Sequence, residues 1–418
     1  MFSVVEVKPK VLFICFYFPP FNRVGGRRWA KHIKYLQKHG EEFHVLAGDY
    51  DSISQWDKDI ESYKDKITRV PVTIYYPYFK RVLAENIFQK IKWKCSLLYN
   101  NYLEKKYKGN FWDDSRGYEK QFYAKAVEII NRLNINTVCL SVGPFSYAVI
   151  LNHLKKKFPL LKIGIDVRDY WCDPHFLLQN QYEINKEKIV FSAVDFVFVV
   201  NNEMEKFYSE KFHKPTFTLP HCFDQDDYLE LPTSIKNQIS TTALTFIYGG
   251  ALYADMQNEI DTFLWFIDKL KTNTKIEIYS HDVAYQDKLK SFEENEISVY
   301  KPVSQKIYFE KLNNVKFILV FRPHWTPNAF STKFYELLYF RKPLLYFGPT
   351  GDVSNFIIKN KLGLHITEEF ISIYQNRLVE TLTAIEINKN FDLSKYDFDF
   401  WSKELMNQLN LLYEKKQN

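Results

Sequence analysis

Several features that would assign this chain to a simple class are scarce or missing. Cysteine occurs five times in 418 residues without a CxxC pair, which argues against a disulfide framework or a zinc site and favours reduced thiols in the cytoplasm. No run of 18 apolar residues occurs, so we predict no membrane-spanning helix. The opening MFSVVEVKPK lacks a basic segment followed by an apolar one, so we predict no signal peptide.

Glycine is scarce, with 13 residues, and basic residues outnumber acidic ones only slightly. Lys and Arg total 56 against 50 Asp and Glu, and the resulting net charge of +6 is too dilute to indicate nucleic-acid binding by itself. Repeats and low-complexity tracts are absent from the sequence. The length and the 46% hydrophobic content predict a globular protein of two or three domains.

Short apolar segments alternate with helical ones along the chain. Residues 11–18 (VLFICFYF) are continuously apolar, as is typical of a strand buried on both faces of a parallel sheet. A helix over about 27–39, ended by Gly40, and a strand over 43–47 complete a βαβ unit. Further strands are predicted at 136–141, 161–166, 195–200, 216–219, 245–248, 275–279, 297–300, 317–321 and 343–347, and helices at 119–133, 146–157, 182–193 and 202–211.

A polar, turn-rich segment at 224–242 separates two series of βα units. We therefore predict an N-terminal Rossmann-like domain over 1–223, a second one over 224–390, and C-terminal helices over 391–418 that cross back to the first domain. The predicted fold class is α/β, with two doubly wound sheets that face a central cleft. Ligands in such sheets bind beyond the carboxyl ends of the strands.

A glycine pair and two arginines follow the first strand. Gly25 and Gly26 let the backbone approach a ligand, and the helix that follows offers free N–H groups. Arg27 and Arg28 lie in the first turn, where positive charge is unfavourable with the helix dipole, so the loop is predicted to bind a ligand. An ordinary basic surface loop is the alternative.

Five motifs then occur in an order and spacing known from one enzyme group. They are residues 17–29 (YFPPFNRVGGRRW), 141–146 (SVGPFS), 165–171 (IDVRDYW), 219–224 (LPHCFD) and 331–345 (STKFYELLYFRKPLL). Together they resemble the retaining glycosyltransferases of family 4, which have the GT-B fold. The resemblance implies a hexosyltransferase-like enzyme of cell-surface polysaccharide synthesis. Such an enzyme moves a sugar from a nucleotide-sugar donor, its co-substrate, to a saccharide or lipid-linked acceptor, without a metal or other cofactor.

The motif that begins at Ser331 predicts a donor site in the second domain. Ser331 or Thr332 can cap the helix that follows, which places backbone N–H groups and Lys333 beside a diphosphate. The resemblance implies that Lys333 neutralises phosphate charge and that Glu336 hydrogen-bonds the ribose, and both are predicted to be catalytic. A plain capping box without a ligand is the alternative.

Two further segments at the predicted ligand edge belong to this donor site. Gly249 and Gly250 end the first strand of the second domain, where donor phosphates can lie close to the backbone. Arg322 and His324 follow strand 317–321 and can reach the phosphates or the sugar. A surface loop without a ligand is the alternative for these two residues.

The 165–171 motif predicts an acceptor site in the first domain. A carboxylate there, Asp166 or Asp169, can accept a hydrogen bond from an acceptor hydroxyl, and Arg168 can hold it or an anionic group. Trp171 can offer its ring face to a sugar. Arg168 and Asp169 are therefore predicted catalytic residues, and a structural Asp–Arg salt bridge is the alternative.

Two positions depart from the family pattern. Asn328 stands where many relatives have a glutamate that contacts the transferred sugar, and residues 251–260 contain no basic residue where relatives have an Arg and a Lys. Phosphate neutralisation would then rest on Lys333 and Arg322, with Arg27 or Arg28 across the cleft. These departures leave a non-catalytic GT-B binding or scaffold subunit, or a GT-B sugar-nucleotide epimerase, as alternative functions.

A basic and aromatic segment at 78–108 indicates where the acceptor lies. Its eight basic residues, interleaved with aromatic and aliphatic ones and opposed by two glutamates, are Lys80, Arg81, Lys90, Lys92, Lys94, Lys105, Lys106 and Lys108. Such a segment can lie on an anionic membrane, so we predict peripheral membrane contact and a cytoplasmic protein at the inner membrane face. A solvated insertion is the alternative. Nucleic-acid binding is not predicted, because no RNA or DNA module accompanies the segment.

Overall fold

A computed structural model gives the fold of the chain. It describes residues 8–21, 24–50, 57–72, 86–106, 113–172, 181–229, 243–280, 285–290 and 296–414. The described residues divide into two compact units. The first unit lies within Met1–Pro220 and Phe398–Asn418, and the second within His221–Asp397.

The first unit is built on a parallel sheet. Its described strands are β1 (Val11–Cys15), β2 (Phe43–Asp49), β3 (Ile67–Pro71), β4 (Thr137–Ser141), β5 (Lys162–Val167), β6 (Phe196–Val199) and β7 (Thr216–Thr218). They lie in the order β3-β2-β1-β4-β5-β6-β7, with Val11 paired with Phe43 on one side and with Thr137 on the other. Strand order reverses at β1, as in a doubly wound sheet.

Helices lie between these strands along the chain, and a buried core lies on each face of the sheet. They are α1 (Val24–Lys38), α2 (Ile87–Lys106), α3 (Glu119–Leu133), α4 (Ile150–Lys157), α5 (Gln181–Ala193) and α6 (Asn202–Phe212). Leu12 and Ile14 of β1 join the core on one face, and Val11 and Phe13 join the core on the other. Burial on both faces explains why this strand is continuously apolar in sequence.

The second unit repeats this arrangement. Its strands are β8 (Leu244–Gly249), β9 (Thr274–Tyr279), β10 (Glu296–Tyr300), β11 (Phe317–Phe321), β12 (Leu344–Phe347) and β13 (Gly363–His365), in the order β10-β9-β8-β11-β12-β13. Its helices are α7 (Gln257–Leu270), α8 (Gln286–Lys290), α9 (Gln305–Asn313), α10 (Thr332–Leu338), α11 (Asp352–Lys359), α12 (Glu368–Tyr374) and α13 (Leu378–Thr383). Every described strand pair is parallel.

The last helix of the chain, α14 (Phe398–Glu414), belongs to the first unit. Leu405 and Leu409 share a core cluster with Trp29 and Ile33 of α1. Beside that cluster, His32 Nδ1 lies 3.1 Å from the Ser402 hydroxyl, and both side chains are fully buried. Helix α14 is therefore an integral part of the first core.

The predicted α/β class with two Rossmann-like series is confirmed, and local differences have identifiable causes. The first strand ends at Cys15 rather than at residue 18, because the Phe16 N–H turns to the Tyr147 hydroxyl at 3.1 Å. Gly40 adopts φ +74° just after α1, as predicted for a helix C-cap.

Strands β3 and β13 were not predicted. Strand β3 (ITRVP) contains polar residues and is largely half-exposed, and β13 (GLH) has three residues that are all half-buried, so neither shows an apolar run in the sequence. In the predicted linker, Gln225–Tyr228 forms a 3₁₀ turn, and residues 230–242 lie outside the described part of the chain. Among the described helices, none is both long enough and apolar enough to cross a bilayer.

Candidate functional site

In the second unit, two of the predicted donor segments meet at the carboxyl end of β8. The Lys333 ammonium donates a hydrogen bond to the Gly249 carbonyl at 3.2 Å, although the two residues are 84 positions apart in the chain. Glu336 lies on the same helix, α10, close enough to favour the charged form of Lys333 electrostatically. Burial acts in the opposite direction and lowers the pKa of Lys333 overall.

The cap of α10 removes one alternative interpretation of the motif. The Ser331 hydroxyl accepts a hydrogen bond from the Phe334 N–H at 3.2 Å, so Ser331 is the N-cap and Thr332 is the first helical residue. A capping box would require the acidic side chain at position 334, three residues after the cap. Glu336 comes two residues later, so it is not the partner of that cap.

Glu336 is held in place by residues that the sequence did not single out. Its Oε1 accepts a hydrogen bond from Gln305 Nε2 at 3.3 Å, and its backbone carbonyl accepts one from the Tyr228 hydroxyl at 3.0 Å. Gln305 begins α9, which also carries Tyr308. No motif marks Tyr228 and Gln305, because both are distant from Glu336 in the chain and meet it only through tertiary packing.

The two glycines of the β8 end lie close to tyrosine side chains. A Cβ on Gly249 would collide with the ring of Tyr308, and one on Gly250 would collide with the Tyr248 hydroxyl. The Gly250 N–H donates to the Tyr279 carbonyl at 3.1 Å. The glycines therefore allow close approach of protein groups, and a ligand role for them stays a prediction.

Arg322 and His324 follow β11 at the same edge, but their environments differ. A terminal guanidinium nitrogen of Arg322 donates to the Ala329 carbonyl, which ties the arginine to its own loop. Its Nε is buried without a hydrogen-bond partner among the described residues, and burial lowers the pKa of the group. His324 is exposed. Near it, burial raises the pKa of Glu259 in the first turn of α7.

The side chain of Asn328 makes a structural hydrogen bond. Its Oδ1 accepts a hydrogen bond from the Asp352 N–H at 3.0 Å, and thereby satisfies a free donor at the start of α11. Gly351 lies directly against this amide. The Asn328 amide is thus engaged by the adjacent helix.

In the first unit, Arg168 is packed against the predicted glycine loop. Its Nη2 donates to the carbonyls of Val142 and Gly143 at 2.7 and 3.0 Å. A Cβ on Gly25 would overlap the guanidinium, and a Cβ on Gly26 would meet the Tyr17 carbonyl at 2.6 Å. The structure therefore brings Gly25 and Arg168 together at the carboxyl ends of β1 and β5.

The structure corrects the predicted ligand roles of Asp166 and Arg28. Asp166 lies inside β5 and is fully buried, where it accepts hydrogen bonds from Arg28 Nη1 at 2.8 Å, Trp29 Nε1 at 2.7 Å and the Ser141 hydroxyl at 3.0 Å. Arg28 also donates to the Leu219 carbonyl at 2.5 Å. Asp166 is therefore the anchor of a buried network, and its main ion-pair partner is Arg28, with Arg168 Nε farther away at 4.0 Å.

Trp171 is also corrected, whereas Asp169 stays a candidate. Trp171 is only 3% exposed, with its indole N–H on Glu183 at 3.0 Å and its ring 5.1 Å from that of Phe145, so it offers no ring face to a sugar. Asp169, two residues earlier, is exposed beyond the end of β5. Arg27 is largely buried beside Asp59, with 3.4 Å between Nε and Oδ2.

No family model matches the chain, and no curated protein matches it significantly. Solved structures do resemble it over nearly its whole length. The catalytic domain of starch synthase IV from Arabidopsis thaliana, bound to ADP and acarbose, has a TM-score of 0.59 at 10% identity and covers 98% of this chain and 99% of its own. The N-terminal domain of trehalose-6-phosphate phosphatase from Candida albicans has a TM-score of 0.59 at 11% identity, with 98% of each chain covered.

A third structure widens the set of activities that share this fold. UDP-GlcNAc 2-epimerase from Neisseria meningitidis, bound to UDP-GlcNAc, has a TM-score of 0.54 at 12% identity and covers 96% of this chain and 99% of its own. Identities this low establish the fold only. The chain therefore has the GT-B fold, composed of two Rossmann-like α/β domains.

Proposed function

We propose that the protein is a glycosyltransferase, similar to the retaining family 4 enzymes, that uses a nucleotide-sugar donor. The observation that carries the proposal is the hydrogen bond between Lys333 and the Gly249 carbonyl, because it joins two separately predicted donor segments at one sheet edge. Ligands of doubly wound sheets bind at that edge. GT-B structures bound to ADP and to UDP-GlcNAc are similar in fold, which supports a nucleotide-sugar as the ligand class.

In this proposal the Lys333 ammonium contacts the donor diphosphate and Glu336 accepts a hydrogen bond from the ribose. Transfer breaks the bond between the anomeric carbon and the diphosphate oxygen and forms a bond from that carbon to an acceptor hydroxyl. The hydroxyl proton ends on the released nucleoside diphosphate. A fixed cation beside the diphosphate lowers the barrier because negative charge develops there as the bond breaks.

The acceptor half of the proposal uses the first unit. The exposure of Asp169 beyond the end of β5, and the position of Arg168 beside Gly25 in the first turn of α1, support a role for both in contacting an acceptor hydroxyl or an anionic group. We propose a saccharide or lipid-linked acceptor for cell-surface polysaccharide synthesis at the cytoplasmic face of the membrane. Positioning both substrates accounts for much of the rate enhancement in reactions of this kind.

Calorimetric titration with UDP, GDP, ADP and their common sugars tests the donor site. Lys333→Ala and Glu336→Ala should each weaken binding of the preferred nucleotide roughly 10- to 100-fold, as expected for one lost charge-assisted hydrogen bond. Lys359→Ala and Glu369→Ala are matched controls at exposed positions of the same unit and should leave affinity unchanged. Absence of nucleotide binding at millimolar concentration, with the fold intact, would refute the donor site.

The fold similarity to UDP-GlcNAc 2-epimerases supports a second candidate, a GT-B sugar-nucleotide epimerase. The amide that replaces the family's glutamate is engaged by α11, and epimerases share the fold at similar TM-scores. The two activities separate in one assay of the protein with its nucleotide-sugar and no acceptor. Conversion of the donor into its epimer supports the second candidate, whereas sugar transfer that requires an added acceptor supports the glycosyltransferase.

A further inference from the structure

Helix α2 exposes an unusual amount of apolar surface. Phe88 is 74% exposed, Leu98 is 69% exposed and Ile91 is 54% exposed. Ile87 and Tyr99 are also more than half exposed. A contiguous apolar surface of this kind on a soluble protein marks an interaction site.

These side chains lie on one face of the helix. Phe88, Ile91, Cys95, Leu98 and Tyr102 follow one another at intervals of three, four, three and four residues, which places them in a single stripe. Ile87 and Tyr99 border the stripe, because Ile87 lies one helical turn before Ile91 and Tyr99 lies one turn after Cys95. By the same periodicity, the half-buried Gln89 and Trp93 lie on the other side of the helix. The apolar stripe is therefore the outward side.

The positive charges beside the stripe indicate which kind of partner binds it. Lys92 lies on one flank and Lys94 on the other, Lys90 is one turn before Lys94, and all three are exposed. Residues 86–102 contain no Asp or Glu. A second copy that packed stripe to stripe would bring these lysines against identical ones, which disfavours a helix dimer. A nucleic-acid backbone would not bury the aliphatic side chains at the centre of the stripe, whereas lipid acyl chains would remove them from water.

We infer that α2 is a membrane-docking helix that lies in the plane of an anionic bilayer. The apolar stripe enters the boundary between headgroups and acyl chains, while Lys90, Lys92 and Lys94 reach outward to lipid phosphates. Each lysine near an anionic surface strengthens binding about fivefold, so the three together account for roughly a hundredfold preference for anionic over neutral lipid. This surface does not depend on the proposed chemistry of the protein.

Cys95 provides a direct reporter of insertion. It lies in the stripe and is exposed, whereas Cys15, Cys139, Cys172 and Cys222 are buried. A polarity-sensitive fluorophore attached to the native protein should therefore label Cys95 selectively. We expect its emission to shift to shorter wavelength with vesicles of phosphatidylcholine mixed with phosphatidylglycerol, and to change little with phosphatidylcholine alone.

Two sets of substitutions separate the apolar and the electrostatic contributions. Ile91→Asn with Leu98→Asn should abolish flotation with anionic vesicles, and Lys90→Gln, Lys92→Gln and Lys94→Gln together should weaken it roughly a hundredfold. The matched controls are located at exposed positions elsewhere on the first unit, and both should bind like the wild type. They are Leu160→Asn, and Lys120→Gln, Lys156→Gln and Lys188→Gln together.

Several results would overturn the inference. The inference fails if the Ile91/Leu98 variant floats with anionic vesicles as well as the wild type does. It also fails if the control variants lose flotation, or if the wild type does not bind anionic vesicles. A concentration-dependent dimer that the Ile91/Leu98 variant abolishes would assign the stripe to a second copy. Salt-sensitive oligonucleotide binding lost in the lysine variant would assign it to nucleic acid. Nucleotide affinity, measured in parallel, should stay unchanged in every α2 variant, so failure here is distinct from failure of the donor site.

Discussion

Asp166 provides the strongest test of how the 165–171 motif works. The substitution Asp166→Asn keeps the shape of the side chain but removes its charge, which leaves Arg28 with 1% of its side chain exposed and no carboxylate at 2.8 Å. Breaking a buried ion pair in this way costs about 3–5 kcal/mol, because the remaining charge stays desolvated and unpaired. The hydrogen bonds from Trp29 and Ser141 also lose a charged acceptor.

Hydrogen exchange measured by mass spectrometry on β5 peptides gives the local opening free energy. It suits a chain of two units, for which a single unfolding transition is not guaranteed. Asp169→Asn is the matched control, because it changes the same residue type three positions away at an exposed site and should alter stability by no more than about 0.5 kcal/mol. Arg28→Met combined with Asp166→Asn should recover part of the loss, since it leaves no unpaired arginine at position 28.

A cost below about 1 kcal/mol for Asp166→Asn would refute the buried network as a stabilising element. The same pair of variants separates stability from function. Asp169→Asn should reduce transfer activity per folded molecule without changing β5 protection. If Asp166→Asn instead left β5 protection intact and abolished activity, Asp166 would belong to the chemistry after all.

Two further predictions concern other parts of the fold. The substitution Gly249→Ala puts a Cβ against the Tyr308 ring, so it should destabilise the second unit by about 1–3 kcal/mol in thermal unfolding and weaken nucleotide binding. An unchanged midpoint of thermal unfolding would contradict the close contact between Gly249 and Tyr308. Burial, assisted by positive Arg132, lowers the pKa of His44 to about 4, while its ring is 2.8 Å from the Thr68 hydroxyl. The unfolded chain therefore binds a proton at His44 more tightly than the folded chain does, and the free energy of unfolding should fall by about 2 kcal/mol between pH 7 and pH 5. The His44→Gln variant should lack this loss. An equal pH dependence of unfolding in the variant and the wild type would refute the assignment to His44.

Most of the strands and several of the helices could be read from the sequence, because each depends on a local pattern. A strand covered on both faces must be apolar throughout, and β1, β4 and β11 are continuous apolar or small-residue runs for this reason. Gly40 after α1 and Ser331 before α10 are likewise local signals, since a cap is satisfied by residues within one turn. Strand β13, only three residues long, has no such pattern.

The partners of polar side chains could not be read in this way. Asp166 and Asp169 belong to one motif and look equivalent in sequence, yet the first lies inside β5 on the face covered by α1, and the second lies beyond its end. The partner of Asp166 is Arg28, 138 residues earlier, and the partner of Lys333 is the carbonyl of Gly249, 84 residues earlier. Asn328 likewise accepts a hydrogen bond from Asp352 at the start of α11, a helix that follows a different strand, β12, so the sequence near Asn328 does not show this contact.

The amino-acid sequence by itself thus determined two series of βα units, their helix caps and the segments that lie at the ligand edge of each sheet. The tertiary structure alone decided which of those residues are buried partners of one another and which remain exposed. The physical reason is that hydrophobic periodicity and capping act over a few residues, whereas an ion pair or a hydrogen bond between distant residues depends on strand order and on how helices cover the sheet.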